Sequence, residues 1–138
     1  MTERGKIYNR EYAAQLRDFS GLRYGKITPT DIDGFMDFGG KAFVFIEAKY
    51  GDSEMPFGQK LALERLCDAC DKGGINAVVL VASHNTREDI DFAAMTVTMV
   101  RHNGVWRPPR RELTVRQTID AFLEWTSAAK LPRSSPSR

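Results

Sequence analysis

The sequence predicts an α/β fold, a single domain built on a mixed β-sheet flanked by helices, and three observations carry that prediction. Two strand-length apolar runs, at residues 42–50 and 76–83, are separated by a stretch with apolar residues at helical spacing. Gly39-Gly40 before the first run and Asn103-Gly104 after the second are tight-turn dipeptides, so antiparallel hairpins flank the pair. A helix linking two strands permits them to run parallel, which makes the sheet mixed. At 138 residues, 42% of them hydrophobic, the chain suits one core.

Each element has a local reason. Asn9 or a neighbour caps a first helix in which Tyr12, Leu16 and Phe19 form one apolar stripe, ended by Ser20 and Gly21. LRYGKITPT is extended, because the residue before Pro29 is pushed out of the α region. Residues 31–38 and 42–50 form the arms of a hairpin. In the second arm Val44, Ile46 and Ala48 share one face and Phe43 and Phe45 the other, which marks a central strand. Pro56 opens the next helix; Leu63, Leu66, Cys67 and Cys70 supply its buried stripe and Gly73-Gly74 close it. The run at 76–83 returns to the sheet, 84–91 is a loop, and MTVTMVRHNGVWRP is a second hairpin. Thr114 caps a last helix with Val115, Ile119, Phe122 and Thr126 on one face. The domain spans residues 1–130, and LPRSSPSR, residues 131–138, is a disordered tail.

The formal charge is only +2, but it is unevenly distributed: Arg101, Arg107, Arg110, Arg111 and Arg116 fall late, while acids gather at the first hairpin and at 88–91. No run approaches the length of a membrane span, and MTERGKIYNREY lacks the apolar core of a signal peptide, so the expectation is a cytoplasmic protein with no membrane partner. Cys67 and Cys70 form a CxxC late in a helix, with no second CxxC and with His84 and His102 far off in sequence; two small residues on a buried helix face is the preferred reading.

The first hairpin holds the anomaly. Asp31, Asp33, Glu47 and Lys49 stand among Ile, Phe, Val and Ala, although charged groups are seldom buried unless paired or bound to a metal. Alternation puts Glu47 and Lys49 on one face of their strand. A two-residue Gly39-Gly40 loop would pair Asp33 with Ile46 and leave Glu47 on the opposite face, whereas a three-residue loop or a bulge would set Asp33 beside Glu47. In the second register two carboxylates converge near an ammonium, a set of hard oxygen ligands suited to Mg²⁺. A salt-bridge network at a solvated sheet edge is the alternative.

Pro29, Asp33, Glu47, Ala48 and Lys49 together resemble the PD-(D/E)xK nuclease superfamily, especially its small Holliday-junction-resolvase-like and phage-encoded members. The likeness rests on an aspartate, an apolar hairpin and Glu-x-Lys ending a hydrophobic strand, with Gln59 in the following helix, and it covers roughly residues 11–83. Pro29 stands farther from its aspartate than is usual there, so either Asp31 or Asp33 could be the ligand; Asp33, followed by Gly34, is favoured.

The resemblance implies a restriction-endonuclease-like αβββαβ core with an added C-terminal hairpin and helix. It implies a Mg²⁺-dependent DNA endonuclease, with Mn²⁺ able to substitute, that acts on branched or junction DNA rather than on a sequence. Asp33, Glu47, Lys49 and Gln59 would be catalytic. Asp33, Glu47 and the Ala48 carbonyl would hold metal, with Asp31 and Glu11 as further candidates. A homodimer and, for a phage-encoded protein, the host cytoplasm follow from the same likeness. Backbone phosphates would meet Arg10, Arg17, Lys26, Arg107, Arg110 and Arg111. The competing function is a nuclease-fold protein that binds nucleic acid or a protein without cutting.

Overall fold

A computed structural model describes residues 18–130. The chain divides into two compact units, Met1–Asp31 and Ile32–Arg138. The expected first helix, with Arg10, Glu11 and Arg17, and the expected tail at 131–138 lie outside the described residues.

In the first unit, a single 3-10 turn at Ser20–Leu22 precedes an isolated antiparallel bridge between Tyr24 and Ile27. Gly25, with φ of 63°, supplies the left-handed backbone that lets the chain reverse there. The strand expected from LRYGKITPT is thus no more than one bridge: the reversal at Gly25 consumes the residues that would have extended it.

The second unit is a five-stranded mixed sheet with two long helices, matching the predicted class. Its strands are β1 (Gly34–Phe38), β2 (Ala42–Tyr50), β3 (Asn76–His84), β4 (Thr96–His102) and β5 (Val105–Arg107), in that spatial order. Helix α1 (Phe57–Lys72) carries the crossover that makes β2 and β3 parallel, and every other neighbouring pair is antiparallel. Helix α2 (Val115–Lys130) ends the described chain. None of the helices among the described residues is long and apolar enough to cross a membrane.

Strand β2 is central and apolar on both faces, as its composition requires. On one face Val44 and Ile46 pack with Val78, Leu80, Ala82, Val97 and the α2 residues Val115, Ile119 and Phe122. On the other, Phe45 packs with Val79, Ala77 and the α1 residues Leu63 and Cys67. The start of α2 is fixed reciprocally: Gln117 N–H donates to Thr114 Oγ1 at 3.1 Å and Thr114 N–H donates to Gln117 Oε1 at 2.9 Å. Asn103 and Gly104, with φ of 53° and 78°, make the tight turn of the second hairpin.

One expected core residue is misplaced by the sequence reading. Leu66 is 38% exposed, because the buried stripe of α1 follows four-residue steps through Gln59, Leu63 and Cys67 and leaves Leu66 at its margin. Cys70 is half-buried.

Candidate active site

The turn between β1 and β2 decides which side chains meet. Gly39 and Gly40 both have positive φ, 67° and 75°, and Lys41 N–H donates to Phe38 O at 3.2 Å, closing a tight reversal. Phe38 nevertheless pairs with Ala42, not with Lys41, and Gly34 pairs with Ile46. Lys41 is therefore the added residue, its carbonyl turned outward to accept from Asn76 N–H at 3.2 Å. Of the two registers open to the sequence, this is the one that directs Asp33, just before the first pair, toward the Glu47 end of β2.

Strand β1 begins at Gly34, not at residue 31, and the reason lies in Asp33. Its Oδ2 accepts the Ala48 N–H at 2.8 Å, so a side chain stands where the next backbone partner of β2 would be. Asp31 is exposed and belongs to the first unit, whereas Asp33 belongs to the unit that holds Glu47. Between the two aspartates left open by the sequence, the one engaged with β2 is Asp33.

Glu47 is buried, at 4% exposure, on the α1 face of β2 beyond Phe45. Its Oε2 takes the Lys49 ammonium at 3.1 Å, but its Oε1 is buried with no hydrogen-bond partner among the described residues. Burial, reinforced by the nearby Asp33 charge, raises the carboxyl above the ordinary carboxylate range, against the opposing pull of Lys49 and Gln59. A buried acceptor left unsatisfied costs about 1–3 kcal/mol, so this position works against stability.

Lys49 is held from two sides. Its Nζ donates to Gln59 Oε1 at 3.1 Å as well as to Glu47. Gln59 lies in the first turn of α1, on the stripe that continues into Leu63, and so the helix that covers the core also fixes the amine. Asp33, Glu47, Lys49 and Gln59 are thus brought to one place by three segments distant in sequence. Chemically, two carboxylates, one of them with an oxygen that has no partner among the described residues, offer hard donors for a divalent cation beside an amine restrained in position.

The predicted basic residues are dispersed. Arg107, Arg110 and Arg111 are exposed on β5 and the loop after it. That loop returns to Thr114, which bridges Thr96; Thr96 pairs with Ser83 and Ser83 with Lys49, so it arrives at the same end of the sheet as Lys49. Lys26 is exposed in the first unit. Phe35 is a further residue near the site, one whose type alone suggests only a core position in a strand. It pairs with Phe45, two residues before Glu47 on the same face of β2, a position that the period-two alternation flags once the register is known.

The CxxC is a core element. Cys67 is fully buried, and burial, with Asp71 and Asp68 adding to it, pushes its thiol up to about 12. Cys67, Asp68 and Asp71 lie within 4.8 Å of one another, yet both acids are engaged: Asp68 Oδ2 accepts from Arg101 at 2.6 Å and Asp71 Oδ1 from Ala77 N–H at 3.2 Å.

Compared with protein-family models, curated proteins and solved structures, the chain matches none.

Proposed function

We propose that this protein is a Mg²⁺-dependent DNA endonuclease, able to use Mn²⁺, that hydrolyses phosphodiester bonds. The observation that carries this reading is the buried Oε1 of Glu47, without a hydrogen-bond partner among the described residues, near the Asp33 charge and next to an amine clamped by Gln59. A salt bridge at a solvated edge would leave no such oxygen, and a module that only binds would gain nothing from an unsatisfied acid facing a polyanion.

Asp33, Glu47 and the Ala48 carbonyl would hold the cation. When bound, it supplies charge stabilisation at the phosphate and lowers the pKa of water. The chain's own residues do the rest. Glu47 and Gln59 hold the Lys49 ammonium, with 3.1 Å to each, where it can orient the attacking water and counter the phosphate charge. Arg107, Arg110 and Arg111, with Lys26 and with Arg10 and Arg17 from the residues not described, would contact backbone phosphates, which gives affinity without sequence information. Selectivity for branched DNA and a homodimer are part of the same proposal.

The test is a panel of labelled junction, flap, single-stranded and duplex DNA incubated with Mg²⁺, Mn²⁺ or EDTA. Glu47→Ala and Lys49→Ala are expected to lower metal-dependent cleavage by roughly 10²–10⁴-fold while circular dichroism stays unchanged. Cleavage by both variants at the parent rate would overturn the assignment.

A further inference from the structure

Phe35 is the most conspicuous side chain near the site that neither the core nor the proposed chemistry uses. It is 52% exposed on β1, the strand at one edge of the sheet. Its ring stacks on Phe45 with centroids 5.1 Å apart and planes at 21°, and meets the edge of Phe43 at 5.1 Å and 81°. One face of the ring is therefore held against Phe45 while half of the residue remains open to solvent. Phe45 and Phe43 both belong to the cluster under α1, but Phe35 does not, because it sits one strand farther out than that cluster reaches.

Its position is specified by the register. Phe35 pairs with Phe45, and Glu47 stands two residues beyond Phe45 on the same face of β2, a step of about 7 Å. That step is comparable to the advance of one nucleotide along an extended strand. A phosphate at Asp33 and Glu47 would thus bring the adjoining base over the open face of the Phe35 ring. In continuous duplex both faces of a base are taken by its neighbours, so a flat aromatic at this distance engages only a base that has left the stack.

We infer that Phe35 is a stacking platform for an unpaired nucleobase next to the cleaved phosphate, so that the substrate class is DNA with an unpaired nucleotide at the cut. This rests on the phosphodiester reading of the Asp33 and Glu47 site. The rigid ring is what makes the platform effective: Phe45 and Phe43 fix its plane before any base arrives, so little side-chain freedom is lost on binding.

The experiment uses the full chain in a Lys49→Ala background with Mg²⁺, which keeps both carboxylates and suppresses cutting. Affinity is measured for a single-stranded oligonucleotide carrying 2-aminopurine and for a blunt duplex, with Phe35, Phe35→Leu and Phe35→Trp compared. The expected result is a loss of about tenfold or more for the single strand in Phe35→Leu, with loss of 2-aminopurine quenching, recovery of both in Phe35→Trp, and duplex affinity within about twofold. Single-strand affinity unchanged in Phe35→Leu overturns the inference, as does an equal loss on both DNAs. A change of sedimentation without a change of affinity also overturns it, and assigns the ring to contact between copies. Should the Lys49-containing parent cut no DNA while ring-dependent binding persists, the nuclease reading falls and the platform stands; Glu47-dependent cutting with no effect of Phe35→Leu gives the converse.

Discussion

Two groups of acids lie close to α1, and they differ in what surrounds them. Asp68 and Asp71 sit beside Cys67 within 4.8 Å, and yet each already has a donor: Arg101 for one, the Ala77 N–H for the other. Glu47 is more deeply buried and keeps one oxygen with no donor among the described residues. Proximity of acids alone is thus a poor sign of a site. A buried acid with an oxygen unsatisfied among the described residues is a better one, because the cost must be offset by something the protein gains elsewhere.

Metal titration by calorimetry breaks or sharpens this contrast most directly. Glu47→Gln and Asp33→Asn are expected to weaken Mg²⁺ or Mn²⁺ binding by about 100-fold or more, in keeping with loss of a charged oxygen ligand from a site of few carboxylates. Asp71→Asn should leave the isotherm unchanged. If Asp71→Asn removed binding and Glu47→Gln did not, the two clusters would have to exchange roles.

A smaller effect is expected at the other cluster. Cys67→Ala opens a cavity between α1 and the sheet and should lower the unfolding free energy by about 1–2 kcal/mol, read as a shift of the urea midpoint, without altering cleavage or metal affinity. A change in metal affinity in this variant would show that the thiol does more than pack. Burial pushes the thiol up to about 12, in keeping with its place in the cluster under α1.

How far the sequence could be read depended on the range of the interactions involved. Strands β2 and β3, helix α1, the Asn103-Gly104 hairpin and the Thr114 cap follow from period, turn chemistry and capping, all of them local, and the structure has them where those rules put them. The register of β1 was not local in that sense. Gly39-Gly40 is compatible with either of two pairings, and only the placement of Lys41 outside the ladder, with its carbonyl bonded to Asn76, selects one. The start of β1 at Gly34 was likewise hidden, since it depends on Asp33 reaching across to Ala48. Gln59 is legible because its spacing to Leu63 places it on the packed face; Leu66 is not, because it lies at the margin of that stripe and helical spacing alone does not set the stripe's width. Phe35 went unnoticed because an aromatic in a strand reads as core, and its exposure arises only from its place on the outermost strand.

The smallest predicted effect concerns the energetic side of the contrast and is measured without substrate. Glu47 has its folded-state pKa raised, by burial first and by Asp33 second, so the folded protein binds the Glu47 proton more tightly than the unfolded chain does. The stability carried by protonated Glu47 is then fully present below the ordinary carboxylate range and is lost as pH rises through the raised value. At neutral pH, in EDTA, Glu47→Gln should therefore be more stable than the parent, by about 1 kcal/mol, and the difference should close as the pH falls below the ordinary carboxylate pKa. Asp71→Asn should show the opposite sign at pH 7, since it weakens an acceptor already bonded to the Ala77 N–H. Addition of Mg²⁺ should stabilise the parent and leave Glu47→Gln where it was, because a ligand raises the melting temperature only of the chain that binds it. A Glu47→Gln variant less stable than the parent at neutral pH in EDTA would mean that the Lys49 pairing already compensates the buried carboxylate, and the principal physical argument for a cation at this position would be gone.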